Sequence, residues 1–195
     1  MKLYLVRHGA TELNKKQLFQ GWGDSGLSNE GEEQCRRLRE KLPGISFDVI
    51  ISSPLPRALH SAQLITGMAP EQIVVQDGLR ELNFGNWEGR HFQEIMAEQP
   101  EEWAAWREDW QNYCIPEGES FQFFYHRVKT EFEKILKLYD QKNILIISHG
   151  GTLRVIAGLL LRMNPEDFWR LAFDCGCYTM FEFNRTVPVL RKFNL

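Results

Sequence analysis

The sequence has no long hydrophobic run, no surplus of basic charge and few cysteines, and each absence excludes a class of protein. The longest apolar stretch covers residues 155–161, far short of the about 20 residues that a membrane-spanning helix needs. Lys and Arg number 23 against 26 Asp and Glu, so the net charge of −3 favours neither a nucleic acid nor a membrane surface as a partner. The apolar N-terminal segment is interrupted at Arg7, so we expect no signal peptide.

The four cysteines do not form the pattern of a disulfide-rich or zinc-binding protein. Only one residue separates Cys175 from Cys177, whereas zinc ligands are usually separated by about two to four residues. A chain of 195 residues can bury a large core without disulfide cross-links. We therefore expect all four side chains to be reduced thiols in a cytoplasmic protein: Cys35, Cys114, Cys175 and Cys177.

The composition is that of one folded domain. Hydrophobic residues make up 43% of the chain and charged residues 25%, which argues against disorder. The length suits a single domain over residues 1–195. Polar-aromatic sequence at residues 91–125 interrupts the pattern of the rest, and we interpret it as an insert over one end of the fold.

Short, nearly continuous apolar runs alternate with helical patterns. The runs at residues 3–6, 47–51 and 143–147 are rich in β-branched residues, as is typical of strands buried on both faces of a parallel sheet. Residues 178–183 and 187–193 flank a turn and predict a hairpin, and Pro188 places its second strand at a sheet edge. The alternation predicts an α/β fold, a three-layer sandwich around a mostly parallel sheet.

Capping signals predict the helices between these strands. Asn29 with Glu32 predicts a helix start, and the Pro43-Gly44 pair ends that helix. Ser53 followed by Pro54 predicts a second helix, which Gly67 closes. A buried helix is predicted at residues 153–161. Ser120 opens a long helix with one apolar face, formed by Phe121, Phe124, Val128, Phe132, Ile135 and Leu138.

Polar residues suited to one task follow the three apolar strands. The first strand ends in Arg7-His8-Gly9. The second is followed by Arg57 just inside the next helix, and the third leads into His149. Ligands of open α/β sheets bind beyond the carboxyl ends of the strands. Arginine forks and helix N-termini bind phosphate, so the pattern predicts a phosphate pocket.

Taken one at a time, such residues are more often structural. A single histidine after a strand usually satisfies a hydrogen bond, and a single arginine is usually a solvated charge. The coincidence of two histidines and two arginines at strand ends favours function. We interpret His60, His91 and His126, which have no such neighbours, as structural.

Four ordered motifs resemble the histidine phosphatase superfamily, which is also called phosphoglycerate mutase-like. They are residues 5–14 (LVRHGATELN), 52–58 (SSPLPRA), 79–81 (LRE) and 148–151 (SHGG). The resemblance implies that His8 is a nucleophile that becomes phosphohistidine. It also implies that Arg7, Arg57 and His149 complete the phosphate pocket, and that Glu81 gives a proton to the leaving oxygen.

The same resemblance assigns substrate contacts, and no cofactor is expected. Thr11, Asn14 and Gln20 match positions that line the pocket or the substrate in relatives, and Gly150 would let the backbone approach a bound anion closely. The cationic side chains can stabilise the phosphoryl group without a metal, so we expect activity to persist in a chelator. The implied partner is a small-molecule phosphate ester.

Sequence after Glu81 resembles one branch of the superfamily. Residues 83–89 (NFGNWEG) are similar to α-ribazole-phosphate phosphatases of cobalamin biosynthesis, whereas phosphoglycerate mutases have an Arg-His-Tyr-Gly type sequence there. Residues 116–120 (PEGES) resemble the Pro-Gly-Gly-Glu-Ser turn of this branch, with Glu117 at a glycine position. The shape of this turn is thereby left open.

Three tryptophans in the insert allow two interpretations. Trp103, Trp106 and Trp110 are spaced three and four apart, which predicts one helical face. They dock the insert on the body, or one of them, with Tyr113 or Phe123, forms a wall for an aromatic leaving group.

Three functions are therefore carried forward. The leading one is a phosphomonoesterase acting on α-ribazole 5′-phosphate, or a relative of broader specificity. The second is a phosphoglycerate mutase, which needs a second phosphate site, and only Arg80 and Arg90 lie near Glu81 in sequence. The third is a non-catalytic phosphate-binding protein.

Overall fold

A six-stranded sheet organises the chain, for which a computed structural model describes residues 1–23, 25–42 and 44–195. The strand order is β3-β2-β4-β1-β5-β6, in which β3, β2, β4 and β1 are parallel and β5 runs antiparallel to both of its neighbours. The strands are β1 (Lys2–Arg7), β2 (Val49–Ser52), β3 (Val74–Val75), β4 (Ile144–Ser148), β5 (Tyr178–Asn184) and β6 (Val187–Lys192).

Seven α-helices surround this sheet in the described part of the chain. Short 3-10 turns, such as Asp77–Leu79, complete the connections. The α-helices are α1 (Glu12–Lys15), α2 (Asn29–Lys41), α3 (Pro56–Thr66), α4 (Phe92–Glu98), α5 (Pro100–Glu108), α6 (Phe121–Leu138) and α7 (Gly150–Leu161).

The parallel strands are apolar on both faces because each face has its own core. Successive side chains of a strand point to opposite faces. Leu3 and Leu5 of β1 therefore join a core with α6 and α7, while Tyr4 and Val6 join a second core with α2 and α3. The predicted α/β sandwich around a mostly parallel sheet is confirmed.

Several helix ends differ from the prediction. Ser28, not Asn29, caps α2, since its Oγ accepts a hydrogen bond from the Gly31 amide at 3.2 Å. Helix α3 begins at Pro56 rather than at Ser53-Pro54. The predicted end of α2 at Pro43 lies outside the described residues. Gly67 closes α3 at φ 73°, as predicted.

Helix α6 and the hairpin follow their predicted patterns with one exception. Ser120 caps α6 and accepts from the Phe123 amide. Five of the six predicted apolar positions are buried, but Leu138 is 69% exposed because it lies in the last turn, beyond the edge of the core. Pro188 stands in β6, the predicted edge strand, opposite Phe183.

Helices α4 and α5 pack on a third, smaller cluster of buried side chains. Trp87 is fully buried at its centre, together with Ile95 of α4 and Ile115. The rings of Trp103 and Trp106 of α5 lie 5.7 and 5.9 Å from that of Trp87. Trp87 thus connects α4 and α5 to the body, while Phe121 and Phe124 at the end of the polar-aromatic segment join the main core.

All four cysteines lie in the described ranges and are free thiols. Each helix in those ranges is too short or too polar to cross a bilayer.

Candidate active site

The carboxyl ends of three parallel strands meet at one edge of the sheet. Register pairs Arg7 of β1 with Ser148 of β4, and the amide of His8 donates to the Ser148 carbonyl at 3.0 Å. The amide of Ser53, which follows β2, donates to the Ile147 carbonyl. As a result, the imidazoles that follow β1 and β4 lie close together, and the ring centroids of His8 and His149 are 5.2 Å apart.

The surroundings of His8 select one tautomer of its ring. The side chain is 3% exposed, and Nδ1 lies 2.7 Å from the Gly9 carbonyl oxygen. A carbonyl only accepts, so the proton of the neutral ring is on Nδ1. Nε2 therefore carries the lone pair. The Gly9 amide is held in turn by Ser61 Oγ at 3.0 Å.

His149 is fully buried directly before α7, and Ser53 orients its ring. Its Nε2 lies 2.7 Å from Ser53 Oγ, which also accepts from the Leu55 amide. The Ser53 hydroxyl proton can then be donated to Nε2, which leaves the ring proton on Nδ1. That Nδ1 is buried and has no acceptor among the described residues. It is a donor suited to an anion.

Both imidazoles are held neutral. Burial lowers the pKa of His8 well below its ordinary value of 6.5, and the guanidiniums of Arg57 and Arg7 lower it further. The Gly9 carbonyl opposes this by favouring the protonated ring. The pKa of His149 is lowered in the same direction by burial, then by Arg57 and by His8.

Arg7 presents part of its guanidinium to the same space. Its Nη1 donates to the Phe173 carbonyl at 2.6 Å, whereas Nε is buried without a partner in the part of the chain that the structure describes. Gly150 packs on the guanidinium, since a Cβ there would lie 3.5 Å from Arg7 Cζ. A buried guanidinium nitrogen with an unused proton fits a phosphate oxygen.

Arg57 is fully buried in the first turn of α3 and holds the loop at residues 21–23. Its Nη2 donates to the Gly21 carbonyl at 2.6 Å and its Nη1 to the Gly23 carbonyl at 3.3 Å. From the other side, the Glu88 carboxylate accepts from the amides of Trp22 and Gly23, at 2.5 Å each. The loop is therefore held between the Glu88 carboxylate and the guanidinium of Arg57, whose charge acts on His8.

Glu81 brings a buried carboxylate to the N-terminus of α7. The side chain is 8% exposed. Its Oε2 accepts from the Gly151 amide at 2.8 Å, and its Oε1 accepts from the Leu82 amide at 2.9 Å. A Cβ at position 151 would collide with this carboxylate, so glycine is required for the approach.

A cavity of about 150 Å³ opens beside Glu81 and Gly151. Its charged lining consists of Glu81, Glu119 and Arg154, and the rest is largely aromatic. Arg154 donates from Nε to the Leu171 carbonyl at 2.8 Å. The aromatic side chains of the wall are Phe19, Phe84, Trp106, Trp110, Tyr113, Phe121, Phe168 and Trp169.

The predicted substrate-contact residues after β1 bond mainly to one another. Gln20 Oε1 accepts from Thr11 Oγ1 at 2.8 Å and from Asn14 Nδ2 at 3.1 Å. Gln20 Nε2 bonds to Ser25 Oγ. None of these three side chains lines the described aromatic cavity.

The three insert tryptophans do not share a helical face, contrary to the prediction. Helix α5 ends at Glu108, so Trp110 lies beyond it in a turn and packs on Phe121 at 4.5 Å between ring centroids. Trp106 both packs on the body and lines the cavity, so the two interpretations are not exclusive. Phe123, also considered for the wall, is 65% exposed and lies outside it.

The sequence analysis did not predict a role in the site for Arg154 or Ser53, although both have a recognisable sequence context. Arg154 is the only charged residue in the otherwise apolar helix α7. Its guanidinium lies over the rings of Phe168 and Trp169, at 5.3 and 5.4 Å. The sequence predicts Ser53 as part of a helix start, whereas in the structure its hydroxyl orients the ring of His149.

Two imidazoles and two guanidiniums at the carboxyl edge of an α/β sheet, with a buried carboxylate beside them, define a site for phosphoryl transfer. Comparison with known proteins agrees. The chain belongs to the histidine phosphatase superfamily, branch 1, whose family model matches residues 3–195. The resemblance seen in the four motifs is confirmed.

Known relatives of this chain include phosphatases from several bacteria. An adenosylcobalamin/alpha-ribazole phosphatase from Escherichia coli K12 is 36% identical over 196 residues, covering 100% of this chain and 96% of that protein. A crystal structure described as a putative alpha-ribazole-5′-P phosphatase from Escherichia coli superposes with a TM-score of 0.93 at 36% identity, covering 100% and 96% of the two chains. A putative phosphoserine phosphatase 2 from Hydrogenobacter thermophilus is 37% identical over 173 residues, covering 89% and 85%. The protein is thus a phosphatase, a hydrolase of phosphate esters, as predicted.

Proposed function

We propose that this phosphatase hydrolyses α-ribazole 5′-phosphate, or the phosphate ester of a similarly bulky alcohol that carries an aromatic ring system. The reaction passes through a phosphohistidine on His8. The observation that carries the substrate class is the aromatic cavity that opens directly beside Glu81 and Gly151. A benzimidazole riboside presents one flat apolar ring system, which stacks on such a wall.

In the first step, His8 Nε2 attacks the phosphorus, and the bond from phosphorus to the ester oxygen breaks. The Nδ1 proton, held by the Gly9 carbonyl, keeps the lone pair on Nε2. Arg7, Arg57 and the His149 Nδ1 proton stabilise the negative charge on the phosphoryl oxygens. The departing oxygen takes its proton from the Glu81 carboxyl.

In the second step, water attacks the phosphohistidine, the bond from phosphorus to Nε2 breaks and inorganic phosphate forms. Glu81, now a carboxylate, takes the proton of that water. The two amides that bond to its oxygens hold the carboxyl group in the same place in both steps. Glu81 is therefore suited to both proton transfers.

The lining of the cavity disfavours a phosphoglycerate mutase. A mutase substrate carries a carboxylate and a second phosphate. Arg154 is the single cation of the described lining, and two carboxylates, those of Glu81 and Glu119, lie in the same wall. An anionic leaving group would meet repulsion there.

We place the enzyme in the cytoplasm, which the free thiols support.

Phosphate release from a panel of esters tests this proposal. The panel is α-ribazole phosphate, phosphoserine, 3-phosphoglycerate, fructose-2,6-bisphosphate and p-nitrophenyl phosphate, with formation of 2-phosphoglycerate followed in parallel. We expect kcat/KM to be highest for α-ribazole phosphate. A higher value for phosphoserine, or isomerisation of 3-phosphoglycerate without release, would contradict the proposed substrate.

Two matched variants test the aromatic wall. Trp106→Ala should lower kcat/KM for α-ribazole phosphate by about 10-fold, as loss of one ring stacked on a base does, and leave phosphoserine turnover nearly unchanged. Phe123→Ala removes an exposed ring outside the cavity and should leave both unchanged. Equal losses of kcat/KM for both esters in Trp106→Ala would contradict a role of the aromatic wall in substrate recognition.

The covalent step has its own test. Replacement of His8 with Ala should abolish release from every ester, and rapid acid-free quenching of the wild type should trap labelled phosphate on His8. Turnover that survives His8→Ala would show that the proposed mechanism is wrong.

A further inference from the structure

Glu81 belongs to no helix or strand, so side chains from other elements must hold it in place. It follows the short 3-10 turn Asp77–Leu79. Ser148 Oγ and Thr152 Oγ1 donate to the Leu79 and Arg80 carbonyls, at 2.7 and 3.0 Å. These bonds fix the segment from the side of β4 and α7 only.

Arg127 of α6 also bonds to this segment. Its Nη1 donates to the carbonyls of Gly78 and Arg80, both at 3.1 Å. Its Nη2 donates to the carbonyl of Glu81 itself at 3.2 Å. One guanidinium thus bonds three backbone carbonyls within four residues, which the planar fork of arginine allows and an ammonium does not.

Glu119, which precedes the N-cap residue of α6, holds that guanidinium in place. The carboxylate is 8% exposed and accepts from Arg127 Nη2 at 2.5 Å and from Arg127 Nε at 3.4 Å. Its Oε1 also accepts from the Asn83 amide at 3.0 Å, on the far side of Glu81. A largely buried ion pair adds little net stability, so the contribution expected from this pair is geometric.

The loop at residues 21–23 is attached to the same point. Trp22 Nε1 donates to the Glu81 carbonyl at 2.8 Å, and the Arg127 guanidinium lies 5.8 Å from the Trp22 ring centroid. The carbonyl of Glu81 therefore receives two donors. Its carboxylate, on the other side of the backbone, receives the Gly151 amide.

We propose that Arg127, held by Glu119, is a positioning residue that fixes Glu81 for proton transfer to the leaving oxygen. This inference rests on the proposed role of Glu81. Proton transfer needs hydrogen-bond distance between donor and acceptor, and a displacement of about 1 Å in an active site can cost about 100-fold in rate. Arg127 itself touches neither the phosphate pocket nor the reacting atoms.

The test compares two leaving groups in the full-length enzyme. One ester is p-nitrophenyl phosphate, whose leaving group departs as a stable anion. The other is the alkyl ester of the panel that is turned over fastest, whose alkoxide needs a proton. The quantity is kcat/KM, which reports transfer of the phosphoryl group to His8 and not the later hydrolysis.

Arg127→Met retains the aliphatic packing and removes the three carbonyl bonds. We expect kcat/KM for the alkyl ester to fall about 10- to 100-fold, and that for p-nitrophenyl phosphate to fall less than about threefold. Arg127→Lys keeps the charge but places its donors on a single nitrogen, so it should recover part of the loss. Lys129→Met, an exposed change on the same helix, should behave like the wild type.

A Glu81→Gln reference separates this inference from the proposed function. If Glu81→Gln affects both esters alike, the role of Glu81 as proton donor is wrong. If Glu81→Gln discriminates and Arg127→Met does not, only the inference about Arg127 is overturned. Adding Arg127→Met to Glu81→Gln should lower kcat/KM by less than about twofold more, since both act on one step.

Folding is checked by thermal melting of each variant. Should Arg127→Met fail to fold, Glu119→Gln retains the shape of the side chain and weakens its hold on the guanidinium. It should show the same preference for p-nitrophenyl phosphate over the alkyl ester. Equal losses on the two esters in Glu119→Gln would overturn the proposal.

Discussion

The Gly151 amide donates a hydrogen bond to Glu81 Oε2 across 2.8 Å. This bond joins the first turn of α7 to a segment without regular structure, 70 residues away along the chain. Backbone amides at a helix N-terminus have no partner within the helix, and a carboxylate is a favourable acceptor there. The bond aligns the carboxylate at the mouth of the aromatic cavity.

Gly151→Ala is expected to impair catalysis because the new Cβ would collide with the Glu81 carboxylate. We expect kcat/KM for an alkyl phosphate ester to fall about 10-fold or more, as for other small displacements of catalytic groups. Gly158→Ala is a matched control in the same helix, since its Cβ would meet no atom within 4 Å. It should raise the free energy of unfolding by up to about 1 kcal/mol and leave kcat/KM unchanged. Steady-state kinetics and urea unfolding measure both effects.

The two buried imidazoles should make stability depend on pH below 6.5. The folded-state pKa of His8 and of His149 lies well below the ordinary 6.5, so between those values the unfolded chain binds more protons than the native protein. This contribution to stability is present above pH 6.5 and is lost as the pH falls. Each neutral histidine should contribute a slope of about 1.4 kcal/mol per pH unit in that window.

Urea unfolding between pH 7 and pH 5 measures that slope. His8→Asn removes one of the two titrating groups, so its free energy of unfolding should change less steeply with pH than that of the wild type. NMR titration of the wild-type ring protons should show both imidazoles still neutral at pH 6. Titration of either ring near 6.5 would be inconsistent with the buried, cation-flanked site.

Arg7→Lys should weaken binding of inorganic phosphate. The guanidinium offers a planar pair of donors to phosphate oxygens while its Nη1 bonds to the Phe173 carbonyl, and an ammonium, whose donors share one nitrogen, cannot reproduce that geometry. Loss of one hydrogen bond to a charged group costs about 1.5–3 kcal/mol, which corresponds to about 10- to 100-fold in the inhibition constant of phosphate. Arg36→Lys, an exposed change in α2, is the control. An unchanged inhibition constant in Arg7→Lys would show that the Arg7 guanidinium does not bind phosphate in the pocket.

Glu117 stands in the left-handed region with φ 61°, where the related turn has glycine. The turn keeps a glycine-like shape despite the substitution, at a cost of about 1–2 kcal/mol for a side chain in that region. Glu117→Gly should therefore raise the free energy of unfolding measured with urea, by about 1 kcal/mol or less after the extra flexibility of the unfolded chain is counted. Glu133→Gly, in the exposed face of α6, should lower it by about 1 kcal/mol. Destabilisation by Glu117→Gly would show that the side chain makes a compensating contact.

Local patterns predicted the elements well because their causes are local. The apolar runs became β1, β2 and β4, and Ser120 and Gly67 cap α6 and α3 as expected. The wrong predictions of helix ends concern adjacent residues that have nearly equal capping propensity. Ser28 and Asn29 both suit an N-cap, and the packing of Gly31 against Ala10 selects the former.

The tryptophans and the loop after β1 show where periodicity is insufficient. A spacing of three and four residues predicts one face only while the helix continues, and α5 ends before Trp110. The resemblance implies that Thr11, Asn14 and Gln20 contact the substrate, and this stays a prediction. The structure shows three amide and hydroxyl groups that already bond to one another.

The apolar runs along this chain were sufficient to predict β1, β2, β4 and the hairpin but not β3 or the strand order, and polar residues after three of these strands predicted the phosphate pocket. Both follow from short-range rules, since strand alternation and strand ends are properties of consecutive residues. The orientation of the His149 ring by Ser53, the aromatic cavity and the placement of Glu81 came from contacts between distant segments. Arg127, 46 residues after Glu81, holds its carbonyl, and no local pattern relates two residues at that separation. Packing of α6 and α7 against one face of the sheet brings them together.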